Sequence, residues 1–376
     1  MGFREHPAPV RRISAIALAA LLLAGVVVAV LVGRSNGGTA NDGDGRRAAT
    51  KTVRGLIGSE KSEFFADPAV VKALAAKGYT VRTEPSGSWA MEQNPVRGYD
   101  FAFPGSKAPA DEIQQKAKAN KGAPTRPFYS PLVVVAHSSA ARVLADNGLA
   151  TLPPGSRTGT LRMGAYLAAA RADRTWQQLK GTAAHAELTG TLFITTTDPA
   201  TSNSGALYLA AASYVADGGK VAANDAAVAR TKPLLRKLIQ VQGAQQTSSD
   251  APFRDFISGV GNPLVLVYES QVASLLLQKQ QVGDLVVLYP DTTVSSDHTL
   301  VPLTEAGREI GALLAGDPKL RALAVRHGFR PQGAAAEFTV ATAPHTGYLN
   351  QRLTGIRQAP VPTAQVLRAM AGAARS

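Results

Sequence analysis
The sequence predicts an α/β protein with room for two domains, set behind an apolar N-terminal helix. Three observations carry that expectation: a length of 376 residues, short apolar runs alternating with amphipathic stretches from 51 to 340, and an uncharged segment at 13–32. At roughly 150 residues per domain, a chain this long holds about two. Hydrophobic residues make up 45% of it and charged residues 18%, which suits a packed core and excludes a disordered polyelectrolyte.

Residues 13–32 contain no charge and no proline, and Ser14 is their only polar side chain. At 1.5 Å per residue, about 20 residues cross the ~30 Å hydrocarbon layer. The segment is read as a transmembrane helix over 13–33, with a cytoplasmic tail at 1–12 and a Gly/Asn/Asp-rich linker at 34–50. Gly38-Thr39-Ala40 resembles a signal-cleavage site, but signal cores are usually about 7 to 15 residues long, so a retained single-pass anchor is expected. Arg11 and Arg12 abut the helix and orient the large domain outside the cytoplasm at the cell membrane.

Beyond the linker, strands are expected at 53–57, 79–82, 99–103, 132–136, 192–195, 264–268 and 285–289. Helices are expected at 68–77, 109–120, 204–215, 231–241, 271–278, 304–314 and 318–327, opened by caps such as Asp67 and Thr304. Residues 341–376, rich in Ala, Pro, Thr and Arg, read as a loose C-terminal tail.

The absence of cysteine excludes thiol nucleophiles, iron–sulfur clusters and thiolate zinc sites, and the six histidines never fall at metal-binding spacing. No Gly-x-Ser-x-Gly, His-Glu-x-x-His, Ser-x-x-Lys or phosphate-cradling Gly-Lys-Ser/Thr occurs, so no enzyme, cofactor or metal centre is expected. The formal net charge of +13 is scattered, and an exported chain would not meet nucleic acid. What remains are hydroxyl- and glycine-rich turns between strands and helices: Gly58-Ser59-Glu60-Lys61, Ser86-Gly87-Ser88 and Ser202-Asn203-Ser204-Gly205. Such turns aim N–H and O–H groups outward and suit polar or anionic ligands, although ordinary helix capping also explains each of them.

GLIGSEKSEFF at 55–65, YDFAFPGS at 99–106, TTTDPATSNSGALYLAAASY at 195–214, LVLVYESQ at 264–271 and LYPDTTVSSDHTLVPL at 288–303 resemble the type II periplasmic solute-binding proteins. The group in question is the one related to molybdate- and sulfate-binding components of ABC importers. The resemblance implies a two-lobed type II periplasmic-binding-protein fold, with lobe 1 at 51–129 plus 289–340 and lobe 2 at 130–288. It implies a small polar or anionic solute held in the cleft by Ser59, Ser86, Gly87 and Ser88 from lobe 1, and by Ser202, Asn203, Ser204 and Tyr268 from lobe 2. It also implies an ABC permease or another membrane partner for a monomeric receptor. Glu60 and Glu269 depart from an oxyanion site, since a carboxylate in the cleft repels an anion. An envelope scaffold of the same fold, without a ligand, is the alternative function.

Overall fold
The computed structural model describes residues 50–93, 96–118 and 121–376. The expected tail, transmembrane helix and all but the last residue of the linker lie outside these, and no described helix is long and apolar enough to cross a membrane.

The described residues carry strands β1 (Lys51–Gly58), β2 (Tyr79–Ser86), β3 (Phe101–Phe103), β4 (Thr125–His137), β5 (Ala150–Thr151) and β6 (Thr158–Leu161). They continue with β7 (Leu264–Tyr268), β8 (Leu285–Pro290), β9 (Thr292–Thr293), β10 (Ser295–Pro302), β11 (Arg330–Pro331) and β12 (Arg357–Gln358). Ten of these strands form one sheet in the order β2-β1-β3-β10-β4-β8-β6-β5, with β7 and β11 also on β4.

The long strand β4 divides that sheet into two lobes. Its first half pairs antiparallel with β10, up to Ser295 opposite Pro131, and with β11. From Leu132 opposite Tyr268 onward it pairs with β7 and β8. An apolar run buried on both faces, Leu132 to Ala136, is what the second half of β4 needs at the centre of three strands.

Each lobe has its own core. Val53, Phe64, Phe101, Phe128, Leu300 and Ile310 pack in the first. The second packs on both faces of its sheet, around Leu207, Leu235 and Leu266 on one side and Val133, Phe256 and Val267 on the other. The helix Asn203–Ala216 is buried on nearly every side, so it carries no polar stripe.

Three expectations need correction. Residues 192–195 form no strand: the segment touches the sheet only through a bridge from Thr195 to Val265. The Asn262 amide donates instead to Phe193 O (2.9 Å) and Thr195 Oγ1 (3.0 Å), replacing a ladder. Residues 341–376 are no loose tail. β12 pairs with β9, and the helix Ala364–Arg375, capped by Thr363, buries Val366, Leu367, Met370, Ala371 and Ala374 in the second lobe. Those five positions repeat with helical period. The helix packs against Asn203–Ala216 and Asp225–Gln240, and two of its five buried positions, Ala371 and Ala374, are alanine. The stretch up to 340, which the resemblance assigns to the end of lobe 1, runs into the helix Ala335–Ala341, and its Phe338 packs in the second-lobe core around Val133 and Val267.

Leu367→Ala should therefore lower the unfolding free energy by about 2–5 kcal/mol in urea denaturation, as a buried leucine does. A loose tail would give a change within about 0.5 kcal/mol.

Candidate functional site
The turns singled out by the sequence come together where the lobes meet, and most are spent on one another. The Ser106 hydroxyl donates to Asn203 Oδ1 (2.5 Å), while Asn203 Nδ2 donates to Tyr268 OH and Ser296 Oγ, both at 3.1 Å. Ser296 donates to Gly105 O, and Gly105 N donates to Ser88 Oγ (2.8 Å). On the second lobe's side, Ser204 Oγ lies 2.7 Å from Thr197 Oγ1 and 3.3 Å from Ser202 Oγ. Thr197 Oγ1 also accepts from Gly205 N (3.0 Å), satisfying an otherwise orphaned N–H in the first turn of the helix. Ser88, Ser202, Asn203, Ser204 and Tyr268 are all buried. Burial, followed by the charge of Glu60, pushes the Tyr268 phenol up, so it stays a neutral partner.

Gly87 lets the lobes approach this closely, because a Cβ there would sit 2.4 Å from Thr201 O. Ser86 and Gly87 are half-buried at the rim of the same contact.

Beneath these hydroxyls lies a charged cluster. Lys61 Nζ is 2.5 Å from Glu60 Oε1 and 3.1 Å from His298 Nδ1, and the three side chains are at most 5% exposed. Burial works to raise the Glu60 carboxyl, but Lys61 and His298 outweigh it and hold it well below the usual range. His298 is driven down to about 4 by burial and by Lys61, so its ring is neutral. Its Nε2 has no partner among the described residues and sits among Phe128, Tyr268 and Phe329. The Glu60 charge that argued against an anion site is thus cancelled by the lysine next to it.

Glu269, the second departure, turns away from the cleft. Arg330 Nε and Nη2 donate to its two oxygens at 2.6 and 2.9 Å, and Tyr289 OH donates to Oε1 at 2.5 Å. Arg330 also donates to Gln351 O (2.6 Å) and Asn350 O (2.9 Å) and lies over the Phe338 ring. A second clasp joins the C-terminal helix to the first lobe: Arg368 pairs with Glu92 and Glu112 and stands over Trp89.

Open space remains at one flank of the interface, in a cavity of about 370 Å³ lined from both lobes. The first lobe contributes the turn after β1, with Ser59, Glu60 and Glu63, and also His327. The second contributes Asp250, Phe253 and Arg254 of the helix Asp250–Ile257, together with Ser270 and Gln271 of the helix Glu269–Leu277. Gln271 caps its own helix by accepting from Tyr268 N (3.0 Å), and its Nε2 donates to Asp250 Oδ1 at 3.1 Å. The Ser59 hydroxyl holds the same carboxylate. Burial, then the charges of Glu60 and Glu63 working against Arg254, raise Asp250 to about 6. His327 is oriented by Asp67, 2.8 Å from its Nε2. Gly328 brings this edge together: it has φ +79° and a Cβ there would meet Ser270 O at 2.1 Å.

Of the expected site residues, only Ser59 lines this cavity; Asp250, Phe253, Ser270 and Gln271 were missed. Asp250 follows Ser249 at a helix start whose short apolar pattern, Phe253 with Phe256, was the available signal.

The architecture matches known structures. The sulfate-binding protein SubI from Mycobacterium tuberculosis H37Rv is 15% identical with a TM-score of 0.53, covering 77% of this chain and 90% of its own. That similarity establishes a shared two-lobed type II periplasmic solute-binding fold. A periplasmic thiamin binding protein (12% identity, TM-score 0.48, 90% of this chain and 100% of that one) also aligns. So does the Azotobacter vinelandii periplasmic molybdate-binding protein (13%, 0.45, 74% and 98%). No family model and no curated protein matches the sequence.

Removing one partner of a buried ion pair strands the other, so Arg330→Ala should cost about 3–5 kcal/mol in denaturant unfolding. The Asp250 carboxyl binds its proton more tightly folded (about 6) than unfolded (ordinary value 3.8). Its contribution to stability therefore falls as pH rises from about 4 to 6 and is level above that. Asp250→Asn should flatten that slope relative to wild type and, at pH 7.5, raise stability by about 1–3 kcal/mol, measured by urea titrations across pH.

Proposed function
We propose that this chain is a solute-binding protein, held by its N-terminal apolar segment at the outer face of the cell membrane. It takes a small polar solute between its lobes and presents it to an ABC-type permease or a signalling partner, without catalysing a reaction on it. The observation that carries this reading is the cavity of about 370 Å³, whose walls come from both lobes of the shared fold. At ~30 Å³ per water molecule, it holds roughly a dozen waters, enough for a small metabolite. A ligand touching both walls stabilises the closed arrangement, because it loses half of its contacts when the lobes part.

The scaffold reading has one specific support: the inner hydroxyls already satisfy each other, as in the Ser88–Gly105–Ser296–Asn203–Tyr268 chain. The two readings separate in one experiment. The full chain is screened by thermal shift and calorimetry against oxyanions, amino acids, sugars and amines. A receptor should gain about 2.7 kcal/mol with ligand at 100 times its Kd, and Ser59→Ala should weaken that ligand. A flat response to every class removes the receptor reading and leaves the scaffold.

A further inference from the structure
The charges around the interlobe cavity do not balance, and the imbalance selects a ligand class. Glu60 is matched by Lys61 at 2.5 Å. Glu63 and Arg254 stand exposed at the mouth with opposite signs, and His327 is engaged by Asp67. That leaves Asp250, whose direct partners are neutral: the Gln271 amide at 3.1 Å and the Ser59 hydroxyl.

A second, independent feature lies in the same wall. Ser270 is 2% exposed and lines the cavity, yet its hydroxyl has no partner among the described residues, although its backbone N–H is satisfied by Ser130 Oγ at 2.9 Å. Buried hydroxyls are almost always paired, so an orphan at a cavity wall marks a contact completed by something from outside. Phe253, Ile257 and Leu275 supply apolar surface beside these two polar groups.

Resting on the solute-binding reading above, we propose that this cavity takes a small organic ammonium ion. The Asp250 carboxylate is the counter-charge, the Ser270 hydroxyl is the second polar anchor, and the Phe253 ring is the apolar wall against which the alkyl groups pack. A cation there restores neutrality next to a carboxylate that is hydrogen-bonded but in no salt bridge among the described residues, and an aromatic face favours alkylammonium over a hydrated metal ion. An oxyanion would instead meet Asp250, Glu60 and Glu63 with only Arg254 and Lys61 to offset them. The raised proton affinity of Asp250 reports the same excess of negative charge.

The test uses the full chain and defined probes: ethanolamine, choline and butylamine against sulfate, molybdate, glucose and calcium ion, by calorimetry at pH 7.5. The expected result is saturable 1:1 binding of at least one amine and none of sulfate or molybdate. Asp250→Asn should weaken that amine at least 30-fold, and Ser270→Ala about 3- to 10-fold. With Asp250 titrating near 6, wild-type affinity should fall about tenfold from pH 7 to pH 5, a measurement that needs no variant. Binding of sulfate or molybdate with the amines silent overturns the ammonium assignment and leaves the solute-binding reading standing. Amine affinity that is unchanged in Asp250→Asn, flat between pH 5 and 7, or matched by calcium at the same residues also overturns the assignment alone. Silence from every probe overturns both.

Discussion
The buried ion pair between Glu269 and Arg330 is the constraint on which the arrangement of the two lobes depends. Arg330 sits on β11, paired to the first half of β4, whereas Glu269 opens the helix that follows β7 on its second half. Taking both charges out of water is costly, and only dense hydrogen bonding offsets it. Glu269 receives two guanidinium N–H groups and a tyrosine hydroxyl, and Arg330 gives two further N–H groups to the carbonyls of Asn350 and Gln351. The pair thereby fixes the first turn of the helix Glu269–Leu277, and the next two residues, Ser270 and Gln271, face the cavity. It also ties the C-terminal segment to the crossing point.

The interface has two chemical layers with different consequences. In the inner layer, donors and acceptors are matched within the protein, as Asn203 shows with three of its hydrogen-bonding positions in use. A matched network rigidifies a contact and leaves little for a ligand to gain. At the outer flank the matching stops: Asp250 is hydrogen-bonded only by neutral groups and the Ser270 hydroxyl has no partner among the described residues. Groups left unsatisfied at a cost to the folded chain are where binding energy can be recovered, and here they share one cavity wall.

The main architecture was legible because its signals are local. The strand Leu264–Tyr268 and the caps Asp67 and Thr304 each follow from a few adjacent residues. The C-terminal helix was illegible because five apolar positions diluted by alanine look like a low-complexity tail until a flat partner surface gives them something to pack against. The hydroxyl turns that the sequence singles out lie where the lobes meet. Their chemical state was hidden, because the partners that saturate them, Ser106 and Ser296, lie 97 and 93 residues from Asn203 along the chain.

Composition and local pattern alone determined an α/β chain without thiol chemistry, with most of its strands, helices and polar turns in place, because periodicity and capping act over a few residues. Only the tertiary structure decided which of those polar groups are already partnered. Glu60 and Glu269 looked alike in sequence, yet one is neutralised by its neighbour Lys61 and the other by Arg330, 61 residues away. Asp250 gave only the weak signal of a helix start, and its hydrogen-bond partners in the fold, Gln271 and Ser59, are neutral. Charge compensation depends on distance through the folded interior, and the order of residues along the chain does not encode that distance directly.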